Sequence, residues 1–190
     1  VMADAGLRDI FIAYPLVGAE KLRRACALAQ RVDRLILAVD SIAQGTPLAE
    51  AAKAHDVVLE VRIEVDCGGG RTGAEMAAFA PLVQCVESCP NLKLTGLYTF
   101  RGLNGGIDDP ALAGAREGEL LAQYRKTAEE ICGRKLEISG GSSPTGKYVA
   151  QSGQADEIRP GTYVFSDYMM YKECGAPLEN VSARLVVTVV

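Results

Sequence analysis

Short apolar runs alternate with longer amphipathic ones along this chain, and that alternation restricts the fold more than any other feature. The runs at residues 9–15 (DIFIAYP), 34–39 (RLILAV), 59–65 (LEVRIEV), 94–100 (LTGLYTF), 136–139 (LEIS) and 157–164 (EIRPGTYV) read as buried parallel strands. Residues 19–31 repeat apolar side chains at Leu22, Ala25, Cys26, Ala29 and Val32, close to one helical face. A second helix is expected over 46–54, capped by Thr46 with Pro47 in its first turn. Further helices are expected over 73–88, 109–132 and 143–151, with Pro144 opening the last. The resulting βαβαβαβαβαβ order requires a parallel sheet with right-handed crossovers.

Two architectures satisfy this order: an open doubly wound sheet and a (β/α)8 barrel. Six strands are too few for a whole barrel, but a barrel lacking its first two strands carries that count. Past residue 164 the pattern changes, and residues 182–190 (SARLVVTVV) read as a strand with no helix before it. Residues 1–167 are therefore expected to form a partial barrel. Residues 168–190 are expected to be a linker and the first strand of a C-terminal β domain. The ends agree with a central fragment: VMADAG reads as the last turns of a helix, and the final strand breaks off in mid-run.

At 190 residues, 48% hydrophobic and 23% charged, the composition is that of a soluble globular protein. A net charge of -4 disfavours nucleic acid as the main partner. No apolar run reaches the length of a membrane span, and the N-terminus has no secretory pattern. The six cysteines follow no paired zinc or redox spacing, and the single histidine is His55. Free thiols in a reducing cytoplasm are the expected state.

The residues that carry chemistry cluster where strands end, which is where parallel barrels place their active sites. After residues 136–139 comes Ser139-Gly140-Gly141-Ser142-Ser143-Pro144-Thr145. Its glycines let backbone approach an anion, its hydroxyls donate, and the following helix offers unpaired N–H groups. The next strand brings Arg159-Pro160-Gly161-Thr162-Tyr163, and two such loops side by side suit one phosphate. Each loop alone is equally a helix cap or turn. A third cluster, Asp66-Cys67-Gly68-Gly69-Gly70-Arg71-Thr72-Gly73, aims Arg71 over the barrel mouth. There it would hold an anionic oxygen or keep a ring nitrogen unprotonated; the alternative is a surface arginine paired with Asp66. Tyr98, Tyr14 and Asp40 also sit near strand ends. Either tyrosine would line a ligand or pack the core, and Asp40 would orient Arg71 or cap a turn.

Taken in order, DCGGGRTG, SGGSSPT and EIRPGTYVFSD, with the opening VMADAGLRDIFIAYPLVG, resemble the fold-type III pyridoxal phosphate enzymes. The resemblance is to the D-threonine aldolase and D-serine dehydratase-like group and covers essentially the whole chain. It implies a TIM-type (β/α)8 barrel of the alanine racemase type, a following β domain and a homodimer. It implies cofactor contacts from Gly140, Gly141, Ser142, Ser143, Thr145, Gly161, Thr162 and Tyr163, with Arg71 and Tyr98 at the reacting end. The Schiff-base lysine of that group would lie upstream of Val1, since Lys93 and Lys147 are badly placed. A divalent metal, Zn or Mn, would have its ligands outside this chain, and His55 is not among them. Leu103 stands where relatives often carry a polar residue. The implied activity is aldol cleavage or dehydration of D-threonine- or D-serine-type substrates. Alternatives are an amino acid racemase and a non-catalytic pyridoxal phosphate carrier of the same barrel fold.

Overall fold

The computed structural model describes residues 1–103 and 109–188. Strands β1 (Asp9–Ile12), β2 (Arg34–Val39), β3 (Leu59–Glu64), β4 (Leu92–Tyr98), β5 (Glu137–Gly140) and β6 (Glu157–Ile158) form one sheet in sequential order. Every neighbouring pair is parallel. Helices α1 (Ala19–Ala29), α2 (Ile42–Ala54), α3 (Met76–Glu87), α4 (Pro110–Cys132) and α5 (Gly146–Gln151) make the crossovers, and α6 (Tyr168–Cys174) follows the sheet. This is the strand–helix repeat expected from the sequence, with the barrel alternative realised and the open doubly wound sheet excluded.

The alternation within each strand explains the curl. On β3, Leu59, Val61 and Ile63 join a core with Leu35, Leu37, Val39, Leu94 and Ile138 under the helices. The intervening Glu60, Arg62 and Glu64 face the other way. Arg34 on β2 donates to Glu137 on β5 at 3.2 Å. Arg62 on β3 donates to Glu157 on β6 at 3.0 Å. Strands three apart would stand about 14 Å from one another in a flat sheet. Their side chains meet because the polar face is the inside of a half-barrel. Arg62, only 2% exposed, also donates to Glu137 at 2.6 Å, so this buried charge is paired twice.

Several boundaries differ from expectation. Helix α2 begins at Ile42, not at residue 46, because the Ser41 hydroxyl accepts the Gln44 N–H at 3.3 Å and caps it. Pro47 therefore lies inside the helix. Strand β6 stops at Ile158 instead of running to 164. Pro160 has no N–H to continue a ladder, and Thr162–Val164 turn as a 3-10 segment. Helix α5 starts at Gly146, three residues late.

No strand forms over the described part of 182–190, residues 182–188, where Leu185, Val186 and Val187 stand exposed without a ladder partner. Val189 and Val190 lie outside the described residues. Among the described residues, no helix is long and apolar enough to cross a membrane.

Candidate functional site

All the loops named above leave the C-terminal ends of the strands and therefore share one rim. In the loop after β3, Asp66 Oδ1 accepts the amides of Gly68 and Gly69 at 2.8 Å and that of Gly70 at 3.3 Å. Its carboxylate is thus the loop's own organiser and not a partner for Arg71. Gly73 closes the loop at φ 110°, where a Cβ would lie 2.7 Å from the Asp66 nitrogen, so only glycine fits. Arg71 is exposed, its guanidinium 4.6 Å from the Phe100 ring centre and 5.9 Å from that of Tyr14. Asp40 accepts from the Ser41 hydroxyl at 3.0 Å; no hydrogen bond joins it to Arg71 among the described contacts.

Tyr98 lies inside the half-barrel, fully buried. Its hydroxyl donates to Glu64 Oε2 at 2.7 Å, and its ring stands edge-on to Phe11, 5.0 Å away. Burial, with the negative Glu64 beside it, raises the Tyr98 pKa above its ordinary value. Glu64 Oε1 accepts from the Thr72 hydroxyl at 2.7 Å, so one carboxylate ties β4 to the Arg71 loop. Phe100, two residues further on, is open at this rim, as are Tyr14 and Tyr163.

The loop after β5 has two layers. The inner one closes on Glu117 of α4, which is fully buried. Glu117 accepts the Gly141 amide at 2.6 Å and the Thr145 hydroxyl at 3.1 Å, while Thr145 Oγ1 accepts the Ser142 amide at 3.0 Å. Burial raises the Glu117 pKa despite these hydrogen bonds and the charges of Arg159 and Arg101. Gly140 is packed so that a Cβ would lie 2.7 Å from Leu121. The outer layer faces the second loop: the Tyr163 amide donates to Ser143 Oγ at 3.1 Å. Gly161, Thr162 and Tyr163 are exposed, and nothing lies within 4 Å of a Cβ at Gly161.

The structure therefore brings the two hydroxyl–glycine loops together, as the sequence suggested, but divides their residues. Ser143, Gly161, Thr162 and Tyr163 line the surface, whereas Gly140, Gly141, Ser142 and Thr145 form its support. Helix α5 adds little, because the Gly146 amide is already bonded to Ser142 O at 2.7 Å.

Two residues without a role in the sequence reading matter here. Arg159 belongs to a quoted motif, but its placement was not foreseen. Its Nε donates to Ser139 Oγ at 2.7 Å, it also reaches Thr99 O, and it lies 5.2 Å from the Tyr98 ring centre. Burial lowers its pKa, against the pull of Tyr98 and Glu157. Glu117 had a visible signal: with Ala113, Leu121, Tyr124 and Ala128 it occupies the buried stripe of α4. An acid in an apolar stripe is uncommon unless something binds it.

Among the described residues, no group of three or more His, Cys, Asp or Glu side chains is placed to hold a metal. Lys93 pairs with Glu60 at 2.9 Å, towards the opposite rim, and Lys147 lies on the solvent side of α5.

Six parallel strands curled into a half-barrel, with helices as crossovers, define a (β/α)-barrel protein of the alanine racemase type. The chain belongs to the alanine racemase N-terminal domain family, which matches residues 5–169, and so to the fold-type III pyridoxal phosphate proteins. It is similar to D-threo-3-hydroxyaspartate dehydratase of Delftia sp., 29% identical over 98% of this chain and 50% of that protein. The crystal structure of D-threonine aldolase from Filomicrobium marinum superposes with a TM-score of 0.83 at 30% identity, covering 93% of this chain and 48% of that one. An uncharacterised Mycobacterium tuberculosis protein is 32% identical over 84% of this chain and 92% of its own length. The chain spans about half the length of the first curated relatives it matches.

Proposed function

We propose that this chain is the cofactor-binding part of a pyridoxal phosphate-dependent lyase that cleaves or dehydrates β-hydroxy D-amino acids. The observation that carries the reading is the Tyr163 amide to Ser143 hydroxyl contact, which joins the two hydroxyl–glycine loops into one surface. The relatives named for aldol cleavage and dehydration support the choice of chemistry. Pyridoxal phosphate supplies an electron sink for charge at the amino acid's α carbon.

The residues present suit that ligand. Ser143 and Thr162 offer hydroxyls, and Gly161 leaves room for phosphate oxygens. Arg71 offers a planar cation to an anionic oxygen, backed by the Phe100 ring. Arg159, held by Ser139 and Thr99, is a second cation that would disfavour protonation of a ring nitrogen. An arginine neither gives nor takes a proton at neutral pH, and burial keeps the Tyr98 proton on its oxygen. These groups therefore bind and orient, and a different residue moves the α-proton. All six cysteines are free, which supports a reducing, cytoplasmic setting.

The test is the visible spectrum of the full-length protein with pyridoxal phosphate, before and after D-threonine, D-serine or D-threo-3-hydroxyaspartate, followed by assay for aldehyde and keto acid. A band perturbed by a D-amino acid, with either product, supports the lyase. A perturbed band with only the enantiomer as product identifies a racemase. A band that no amino acid changes identifies a carrier, and no band at all removes the cofactor reading.

A further inference from the structure

Helix α4 carries three residues that work against it as an isolated helix. Gly114 and Gly118 lie in its interior, where glycine weakens a helix. Glu117 puts a carboxylate on its buried face, where an unpartnered charge is strongly disfavoured. All three face the unit made by the loop after β5, α5 and its C-cap Ser152. A Cβ at Gly114 would lie 2.6 Å from Tyr148 Cβ and 2.9 Å from Thr145 O. A Cβ at Gly118 would lie 2.5 Å from the Ser152 hydroxyl. The two glycines thus let α5 and its leading loop settle directly on α4. That approach puts Glu117 within 2.6 Å of the Gly141 amide and 3.1 Å of Thr145 Oγ1.

Gly141 has φ 75°, and a Cβ there would lie 2.8 Å from Gly146 Cα, so the loop folds tightly back on itself. Glu117 takes the amide of this turn, and through Thr145 it also fixes the Ser142 amide. With those donors held inward, the next residue, Ser143, is presented to the Tyr163 amide at the rim.

We propose that Glu117 is a positioning residue for the phosphate loop: from α4 it holds the Gly141 amide and the Thr145 hydroxyl so that Ser143 faces the bound phosphate. This rests on the pyridoxal phosphate reading above. Glu117 itself does not touch the ligand. Its effect falls on the phosphate group alone and leaves recognition of the pyridine ring unchanged.

The experiment compares pyridoxine 5'-phosphate with pyridoxine, neither of which can condense with a lysine. Both are titrated by calorimetry into the full-length protein stripped of any bound cofactor. The wild type is expected to prefer the phosphorylated compound by about tenfold or more. In Glu117→Ala that preference should fall to within about threefold, with pyridoxine affinity unchanged. In Glu117→Gln it should largely persist, because the amide oxygen can still accept from Gly141 while the Thr145 hydroxyl turns towards Ser142.

A folded Glu117→Ala that keeps the full preference overturns the proposal and leaves the cofactor reading standing. So does a Glu117→Gln that loses as much as alanine, since charge and not geometry would then act. If Glu117→Ala does not fold, Thr145→Val decides: a reduced preference supports the positioning role, an undiminished one overturns it. A wild type without any phosphate preference overturns the cofactor reading, and the inference falls with it.

Discussion

The Tyr98 hydroxyl donates a hydrogen bond to Glu64 at 2.7 Å, and both side chains are buried. The same carboxylate receives the Thr72 hydroxyl, so the pair connects the end of β4 to the loop that bears Arg71. Removing the donor leaves a buried carboxylate oxygen unmatched. Tyr98→Phe is therefore expected to lower stability by about 1–3 kcal/mol, seen as a drop of several degrees in the thermal midpoint. An unchanged midpoint would show that the Glu64 oxygen finds another donor and that the connection is dispensable.

Arg71 should behave in the opposite way. It is exposed and stacks on Phe100 and Tyr14, so its replacement removes little that holds the fold together. Arg71→Lys keeps the charge but loses the planar, forked donor set. Stability should stay within about 0.5 kcal/mol of wild type, while kcat/KM for a β-hydroxy D-amino acid falls at least about tenfold. Equal kcat/KM in the two proteins would remove Arg71 from the site.

Most of the fold could be read from the chain, because the strands are apolar on the face that meets the helices and the helices carry matching stripes. The strand at residues 34–39 is observed with the same limits. The barrel was expected from the strand count and the family resemblance, but the residues that build its curl were not foreseen, because Arg34 with Glu137 and Arg62 with Glu157 join residues 103 and 95 positions apart. The charged residues Glu60, Arg62 and Glu64 of LEVRIEV, given no role in the sequence, form the inner face of the half-barrel. At the site, loop composition marked Ser143 and Gly161–Tyr163 alike with Gly140, Gly141, Ser142 and Thr145. It could not separate groups open at the rim from groups turned towards Glu117, since that depends on a helix packed behind the loop. Tyr98 and Phe100 lie two apart on the same run, and only the structure shows which one is open.

Cys67 lies inside the Gly-rich motif and could be mistaken for a nucleophile. Burial, reinforced by the negative Glu117 and Asp66, pushes its thiol up to about 12 despite the Thr99 hydrogen bond. The thiolate is the reactive form, so Cys67 should be nearly inert at neutral pH. Iodoacetamide treatment of the native protein at about pH 8, followed by peptide mass spectrometry, should leave Cys67 unlabelled. The unfolded protein should label it fully. Fast native labelling would mean that the loop opens readily and that its glycines are not fixed by Asp66.

Two carboxylates, the buried Glu117 and the partly exposed Glu157, should impose opposite pH dependences. Burial raises Glu117 above its ordinary value of 4.5 and outweighs Gly141, Thr145, Arg159 and Arg101; Cys67 beside it stays neutral. A raised folded pKa contributes stability that is present below the unfolded value and lost as pH rises through the folded one. Burial also acts to raise Glu157, but the Ser139 hydrogen bond and the charges of Arg62 and Arg159 prevail and lower it. Its contribution is present above the ordinary value and lost as pH falls through the folded pKa. Urea unfolding of wild type, Glu117→Gln and Glu157→Gln at about pH 4, 6 and 8 separates them. Relative to wild type, Glu117→Gln should gain stability as pH rises from the ordinary glutamate range, because the glutamine never has to ionise in the core. Glu157→Gln should instead lose ground as pH rises up to that range and stay level above it, since it lacks the charge that Arg62 and Arg159 favour. A flat difference for Glu117→Gln would show that its carboxyl ionises as easily folded as unfolded. The loop would then have to supply more to that charge than the Gly141 amide and the Thr145 hydroxyl provide.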